Sequence, residues 1–175
     1  MTLQETWLDN DEIREDLKIP GYELVINSKG KGKGIATYYK KDIFTHIADI
    51  KKDNMQLSKF SSANLDLISI YRSNQGNLQE MNQLIKQLRN RNVPQVVIGD
   101  LNFHYLEERN NATKQFFKKE KYSQLIMEPT HTEGNILDHA YVRDERKLLK
   151  FTAEIQTKYY TDHRGISLIV KQSEK

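Results

Sequence analysis

Cysteine is absent from the 175-residue sequence, and so are long apolar runs. Without cysteine the chain has no disulfide framework and no thiolate metal site, which fits an intracellular protein. Without a run of about 20 apolar residues, no segment is expected to span a membrane. Residues 1–7 lack a basic region followed by an apolar stretch, so we do not expect a secretory signal.

Hydrophobic residues make up 37% of the chain and charged residues 29%, a composition typical of a soluble globular protein. The length and the lack of repeats or linkers indicate a single domain over residues 1–175. The net charge is +3, which suits a polyanionic partner without requiring one. Lysines cluster at residues 29–33, 40–41 and 114–121. On charge alone, the simpler interpretation of these clusters is a solvated basic surface.

Apolar periodicity predicts a mixture of strands and helices with antiparallel hairpins, a pattern that favours an α/β (α+β) sandwich. Helical patterns cover residues 9–17, 78–92 and 111–121. Strand-like patterns cover residues 3–7, 22–26, 35–39, 43–50, 55–60, 65–71, 95–98, 136–142 and 166–170. The segments 136–142 and 166–170 are the last strands that we predict along the chain. The run 95–98 is apolar enough for a fully buried strand.

Polar clusters stand at or near the ends of several predicted strands. They are Gln4-Glu5-Thr6, Gly99-Asp100-Leu101-Asn102, Leu137-Asp138-His139 and Thr161-Asp162-His163. Burying an unpaired carboxylate is costly, so this recurrence needs an explanation. Strand ends in open sheets converge on crevices where ligands bind. Taken singly, Asp100 is most simply a turn residue, and Asp162-His163 a helix cap or a surface pair.

Together with Tyr71-Arg72, these clusters follow the motif order of the endonuclease/exonuclease/phosphatase superfamily, which the chain resembles from Thr2 to about Val170. Within the superfamily it looks most like the apurinic-type endonuclease domain of non-LTR retrotransposons. The segments that carry this likeness are residues 32–39, 70–72 and 129–131. The resemblance implies a two-sheet β-sandwich flanked by helices, in four αββα layers.

The resemblance also implies phosphodiester hydrolysis assisted by Mg²⁺ or Mn²⁺, hard cations that prefer carboxylate oxygen. Glu5 and Asp162 would be the metal ligands. Asp100 and Asn102 would orient or deprotonate the attacking water. His163 would contact a phosphoryl oxygen, and Asp138 would hold the His163 ring in the required tautomer. Tyr71 would contact the phosphate. Arg72 and Thr130 would contact the substrate.

Two other patterns are given simpler interpretations. The run Gly30-Lys31-Gly32-Lys33-Gly34 imitates a phosphate-binding loop, but no Gly-Lys-Ser/Thr follows and the next element is a strand. We interpret it as a hairpin turn in which Lys31 and Lys33 can contact a nucleic-acid backbone. Three histidines lack the spacing of a zinc site, and we expect loop or hydrogen-bonded core histidines at His104, His131 and His139.

The family pattern begins with a strand that carries an Asn, followed by a helix, ahead of the Gln-Glu-Thr strand. No such strand precedes Gln4 here. The strand of Glu5 and the strand 166–170 are therefore expected to have free edges, and a catalytically impaired protein is one of the alternatives.

The leading functional prediction is a Mg²⁺-dependent endonuclease that nicks DNA. Two alternatives stay open, namely the same chemistry on another phosphoester (RNA, an inositol phosphate or a sphingolipid head group) and a catalytically impaired nucleic-acid-binding remnant. We expect a monomer that does not bind membranes. It is either free or part of a larger reverse-transcriptase polyprotein, and it is nuclear if it is a retrotransposon nuclease.

Overall fold

The computed structural model describes residues 1–8, 15–107, 111–157 and 161–173. Within these ranges the chain forms two α-helices and eleven strands. The helices are α1 (Leu78–Leu88) and α2 (Asn111–Lys119). The strands are β1 (Thr2–Gln4), β2 (Glu23–Ser28), β3 (Gly34–Tyr39), β4 (Thr45–Lys52), β5 (Met55–Ser61), β6 (Asp66–Arg72), β7 (Gln95–Asp100), β8 (Ser123–Gln124), β9 (Asp138–Arg143), β10 (Leu149–Gln156) and β11 (Gly165–Gln172).

The largest sheet has six strands in the order β4-β5-β6-β7-β9-β8. β6 and β7 are parallel and are joined through α1, whereas the other pairs are antiparallel. β7 lies centrally, which explains its continuous apolar run, because a strand covered on both faces has no polar side. The register places Tyr71 opposite Asp100, and Asp100 opposite Asp138. Three predicted site residues therefore lie side by side across β6, β7 and β9.

Both helices pack against one face of this sheet. Asn77 caps α1 by accepting hydrogen bonds from the backbone N–H groups of Gln79 and Glu80. The predicted apolar face of α1 is confirmed, since Met81 and Ile85 are fully buried against strands β5, β6 and β7. The large residues that this cluster shares with the sheet are Leu57, Ile68, Ile70, Val97, Phe117 and Tyr141. Each fully buried aliphatic side chain contributes about 2 kcal/mol of transfer free energy.

Two smaller sheets complete the fold, a three-stranded sheet of order β1-β3-β2 and the hairpin β10-β11. β1 contacts β6 and β7, and the hairpin packs on a second apolar cluster through Ala153, Ile155 and Ile166. Among the described residues, β1 pairs only with β3, and β11 pairs only with β10. The free edges expected for these two strands are therefore present, and a cleft lies between them.

The structure corrects several predicted boundaries. The helix expected over residues 9–17 is a single 3-10 turn at Glu15–Leu17, and residues 9–14 lie outside the described ranges. α1 ends at Leu88 rather than near residue 92. β10 was not predicted, although its apolar and polar residues alternate and their burial alternates with them. Of the described helices, none is long and apolar enough to cross a membrane.

Candidate active site

The site begins at Gly99, where the backbone of β7 lies close to that of β6. Its φ of +147° is a conformation that L side chains rarely adopt. A Cβ atom at this position would lie 1.8 Å from the carbonyl oxygen of Ile70. Only glycine fits here. The strand pairing can therefore continue to Asp100, whose side chain is 2% exposed.

Asn102 holds the Asp100 carboxylate from two directions. Its backbone N–H donates to Oδ1 of Asp100 at 2.9 Å, and its side-chain amide donates to Oδ2 at 3.0 Å. The same amide also donates to the carbonyl of Arg72 at 2.9 Å. Asn102 itself adopts a left-handed φ of 49°. These contacts orient Asp100, the other residue that is predicted to lie beside the attacking water.

Arg72 differs from its predicted role as a substrate contact. Its side chain is 3% exposed, and its guanidinium donates to the backbone carbonyls of Leu101, Gly76 and Asn102 at 2.6, 2.5 and 2.7 Å. Burial lowers the pKa of Arg72 to about 10. Because the donors face the protein backbone, Arg72 braces the loop that follows Asp100.

Asp138 and His163 form the most direct side-chain pair of the site, with His163 Nδ1 2.8 Å from Oδ2 of Asp138. The hydrogen bond that His163 donates to Asp138 and the negative charge of Asp138 raise the pKa of His163 to about 9, against the opposing effect of burial. Thr130, predicted as a substrate contact, is fully buried. Its hydroxyl oxygen accepts from the backbone N–H groups of Leu137 and Asp138, both at 3.0 Å, and so fixes the start of β9.

Asp100, Asp138 and His163 bring ligand atoms within 4.8 Å of one another. Burial, reinforced by the negative charge of Asp138, raises the pKa of Asp100 to about 7. A buried carboxyl with a raised pKa, next to a second carboxylate and a histidine, is a candidate general base. Such a cluster can accept a proton from a reacting group while it keeps another proton on one of its own members.

Glu5 follows β1 with a left-handed φ of 51°. The Tyr71 hydroxyl donates to its Oε1 at 3.0 Å. Burial, together with the charge of Glu5, raises the pKa of Tyr71, so the phenol stays protonated and available as a donor. Glu5 and Asp162 line the same cleft, but Glu5 belongs to neither of the two clusters of three potential metal ligands found among the described residues.

The second of those clusters joins Asp162 and His163 to His131. Asp162 has an exposed side chain (66%), and Oδ2 lies 3.3 Å from Nε2 of His131. Burial would raise the pKa of Asp162, but hydrogen bonds from its own backbone N–H and from His131 outweigh this effect and lower it. His131 was predicted to be a loop or core histidine. Its one sequence signal was its position directly after Thr130.

The two other predicted histidines lie near the site without lining it. His139 is fully buried, with Nε2 3.1 Å from the carbonyl of Phe103 and Nδ1 2.8 Å from the amide of Gln124, as expected for a hydrogen-bonded core histidine. His104 accepts at Nδ1 from the backbone N–H of Ile136 at 3.0 Å.

The chemistry of these donors suits a hard divalent cation. Carboxylate oxygens of Glu5, Asp100, Asp138 and Asp162 line one cleft of about 1110 Å³ that runs between β1 and β11. The raised pKa of Asp100 reflects burial and neighbouring negative charge, and a cation at this end of the cleft would relieve that repulsion. Carboxylate oxygens are the ligands that Mg²⁺ and Mn²⁺ prefer.

Lys31 and Lys33 lie in the turn between β2 and β3, and both are exposed. The backbone N–H of Gly32 donates to the carbonyl of Thr6 at 3.2 Å, which ties the turn to the residue after Glu5. Trp7, whose side chain is 72% exposed, lies against the turn, with its ring 3.9 Å from the position of a Cβ atom on Gly32. The basic turn and an exposed indole therefore adjoin the Glu5 end of the cleft.

A profile of the Endonuclease/Exonuclease/phosphatase family matches residues 1–163. The chain belongs to this family. A comparison with curated proteins finds no significant match. The fold of this family member is similar to that of the endonuclease domain of TRAS1, a telomere-specific non-LTR retrotransposon. The TM-score is 0.64 at 13% identity, and the match covers 88% of this chain and 80% of that domain.

Two further solved structures share the fold. An endonuclease/exonuclease/phosphatase family protein from Leptotrichia buccalis has a TM-score of 0.61 at 16% identity, with 97% of this chain and 86% of that chain covered. A humanized D. rerio TDP2 has a TM-score of 0.53 at 12% identity, with 87% and 76% covered. At these identities the likeness is one of fold. The family member therefore has a hydrolase fold with a candidate acidic and histidine metal cluster.

Proposed function

We propose that the chain is a Mg²⁺- or Mn²⁺-dependent phosphodiesterase that nicks DNA. The observation that carries the proposal is the cluster of Asp100, Asp138 and His163 at the end of a cleft that also contains Glu5 and Asp162. Glu5 and Asp162 would hold the cation. When bound, it would neutralise charge on the phosphate and on the leaving oxygen.

Water attacks phosphorus, the bond to the leaving oxygen breaks, and the water loses a proton. Asp100 is the base in this proposal, because its carboxylate lies at the end of the cleft beside Asp138 and His163. Asn102 holds both carboxylate oxygens of Asp100 and so fixes the direction from which the proton is taken.

His163 acts on the phosphoryl oxygen. With Nδ1 bonded to Asp138, its Nε2–H is the donor that remains, and a pKa of about 9 keeps the ring positively charged. A charged donor aimed at developing negative charge stabilises the transition state. Tyr71 donates its hydroxyl hydrogen to Glu5 and so holds the carboxylate that is proposed to bind the cation.

DNA is the favoured substrate because the basic turn with Lys31 and Lys33 adjoins the Glu5 end of the cleft, where a polynucleotide backbone would continue beyond the cleaved phosphate. The name of the TRAS1 domain agrees with this choice. We further propose that the protein is a monomer with four αββα layers. It would be nuclear if it acts in a retrotransposon, and it would be either free or part of a reverse-transcriptase polyprotein.

The test is plasmid nicking by the purified chain. Activity should be lost in EDTA and return with Mg²⁺ or Mn²⁺. Replacing Asp100 by Asn, or His163 by Gln, should reduce the rate by about 10²-fold or more. DNA binding without nicking under all metal conditions would favour the impaired nucleic-acid-binding alternative. Cleavage confined to a small phosphoester would favour the alternative in which the same chemistry acts on a substrate other than DNA.

A further inference from the structure

His131 is held against the site by pairing between two segments that lie far apart in the chain. His131 and His163 form an isolated antiparallel β-bridge. On either side, the backbone N–H of Thr132 donates to the carbonyl of Asp162 at 2.9 Å, and that of Arg164 donates to Thr130 at 2.7 Å. The two imidazole rings meet edge to face, with centroids 5.0 Å apart. The place of the His131 ring is therefore set by backbone pairing.

The tautomer of His131 follows from its contacts. The backbone N–H of Glu133 donates to Nδ1 of His131 at 3.2 Å. A ring nitrogen that accepts a hydrogen bond carries no hydrogen, so the hydrogen of the neutral ring is on Nε2. Nε2 lies 3.3 Å from Oδ2 of Asp162. His131 is therefore the donor in this contact, and the Asp162 carboxylate is the acceptor.

This tautomer argues against His131 as a metal ligand, although its ligand atom clusters with those of Asp162 and His163. A metal-binding Nε2 needs a free lone pair, which places the hydrogen on Nδ1. That hydrogen would face the N–H of Glu133. With the hydrogen on Nε2, both ring nitrogens have a hydrogen-bond partner, Asp162 at Nε2 and the N–H of Glu133 at Nδ1. With a metal on Nε2, the hydrogen on Nδ1 would have no acceptor in the N–H of Glu133.

We infer that His131 is a positioning residue for Asp162, whose carboxylate it orients toward the cation. The inference rests on the proposed metal-dependent function. With a side chain that is 66% exposed, Asp162 has little packing to restrict its rotation. The hydrogen bond to Oδ2 reduces the rotamer entropy lost on binding a cation. Oδ1, which accepts a hydrogen bond from the Thr161 hydroxyl at 3.4 Å, keeps a second lone pair for that cation. Partners of this kind typically affect metal affinity by about 10- to 100-fold.

The experiment measures Mn²⁺ binding by electron paramagnetic resonance of the free ion, in the full chain without substrate. His131→Phe keeps an aromatic ring beside His163 and removes the donor. His131→Gln keeps an N–H donor at a similar reach. The matched control is His46→Phe, because His46 forms the same kind of contact with Asp49, at 3.1 Å, and does not itself line the cleft. Phenylalanine also keeps the ring contact that His46 makes with Phe60.

We expect the Kd for Mn²⁺ to rise by about 10-fold or more in His131→Phe and to stay near the parent value in His131→Gln and His46→Phe. The Mg²⁺ concentration for half-maximal nicking should rise in parallel, with the rate at saturating Mg²⁺ preserved. Equal affinity in the parent and His131→Phe would overturn the inference, and so would equal weakening in His131→Phe and His131→Gln. A parent that binds no Mn²⁺ would overturn the proposed function and this inference with it.

A second measurement does not depend on how well a variant folds. Nitrogen-15 NMR of the histidine rings in the parent distinguishes the protonated ring nitrogen from the unprotonated one. For His131 the hydrogen should be on Nε2. A hydrogen on Nδ1 would contradict the inference directly.

Discussion

The hydrogen bond between Asp138 and His163 fixes both the tautomer and the charge of the ring that is proposed to contact phosphate. In Asp138→Asn the negative charge is lost, and an amide in its place no longer supports an imidazolium. We expect nicking to fall by about 10²-fold or more, with an unchanged melting temperature. The control is Asp49→Asn, which alters the same type of pair at His46. Undiminished nicking in Asp138→Asn would exclude an essential role for the pair.

His139 links stability to pH. Burial lowers its pKa to about 4, from 6.5 in the unfolded chain. The unfolded chain therefore binds a proton over this interval that the folded chain does not. Stability from the neutral ring is fully present above pH 6.5 and is lost as the pH falls toward 4, by about 3 kcal/mol in total.

Denaturant melts of the parent and of His139→Gln, taken between pH 7 and 4, would measure this effect. Glutamine can still donate to the carbonyl of Phe103, but it does not titrate. The free-energy difference between the two proteins should shrink as the pH falls. A constant difference across the range would show that His139 titrates alike in both states.

Among the secondary-structure elements, the contact of β6 with β7 depends on one glycine. In Gly99→Ala the new Cβ would meet the carbonyl oxygen of Ile70, so the two central strands must separate. We expect a loss of about 3 kcal/mol or more in the free energy of unfolding, within the range of severe backbone changes. The matched control is Gly134→Ala, where φ is also positive, at +86°, but no atom lies within 4 Å. Similar melting of the two variants would refute this account.

Prediction from sequence succeeded where the pattern was local. β7 and α1 follow from an apolar run and a helical period, and the pairing of Asp138 with His163 was implied by the family motifs. The strand β10 was missed even though its alternation is visible in the sequence, because its outward face carries lysine and glutamate that also suit a loop.

The residues whose observed contacts differ from their predicted roles share a different cause. Arg72 and Thr130 were predicted to face substrate, but their donors and acceptors bond to the backbone of neighbouring loops. His131 was missed as a site residue because its bridge to His163 joins segments that only the closed fold brings together. Backbone partners depend on loop conformation, and residue type and spacing do not specify them.

For the molecule as a whole, a net charge of +3 is modest, so DNA affinity should depend on where the charge lies. We expect Lys31→Gln and Lys33→Gln each to reduce the slope of log K against log salt by about one unit. The measurement is fluorescence anisotropy of labelled duplex DNA over a salt series. The controls are Lys150→Gln and Lys171→Gln, a cross-strand pair on the hairpin β10–β11. Equal slope changes in both sets would indicate diffuse attraction without a defined contact.

Trp7 is the only tryptophan in the chain. Because its indole is exposed beside the basic turn, the intrinsic fluorescence of the protein reports on one place, the approach to Glu5. Bases or sugars that come to rest on this ring should quench its emission and shift it in wavelength. Titration with unlabelled DNA should therefore give a binding curve that matches the anisotropy curve. Binding with unchanged emission would mean that DNA leaves the cleft by another path. The protein thus carries its own optical probe of substrate entry.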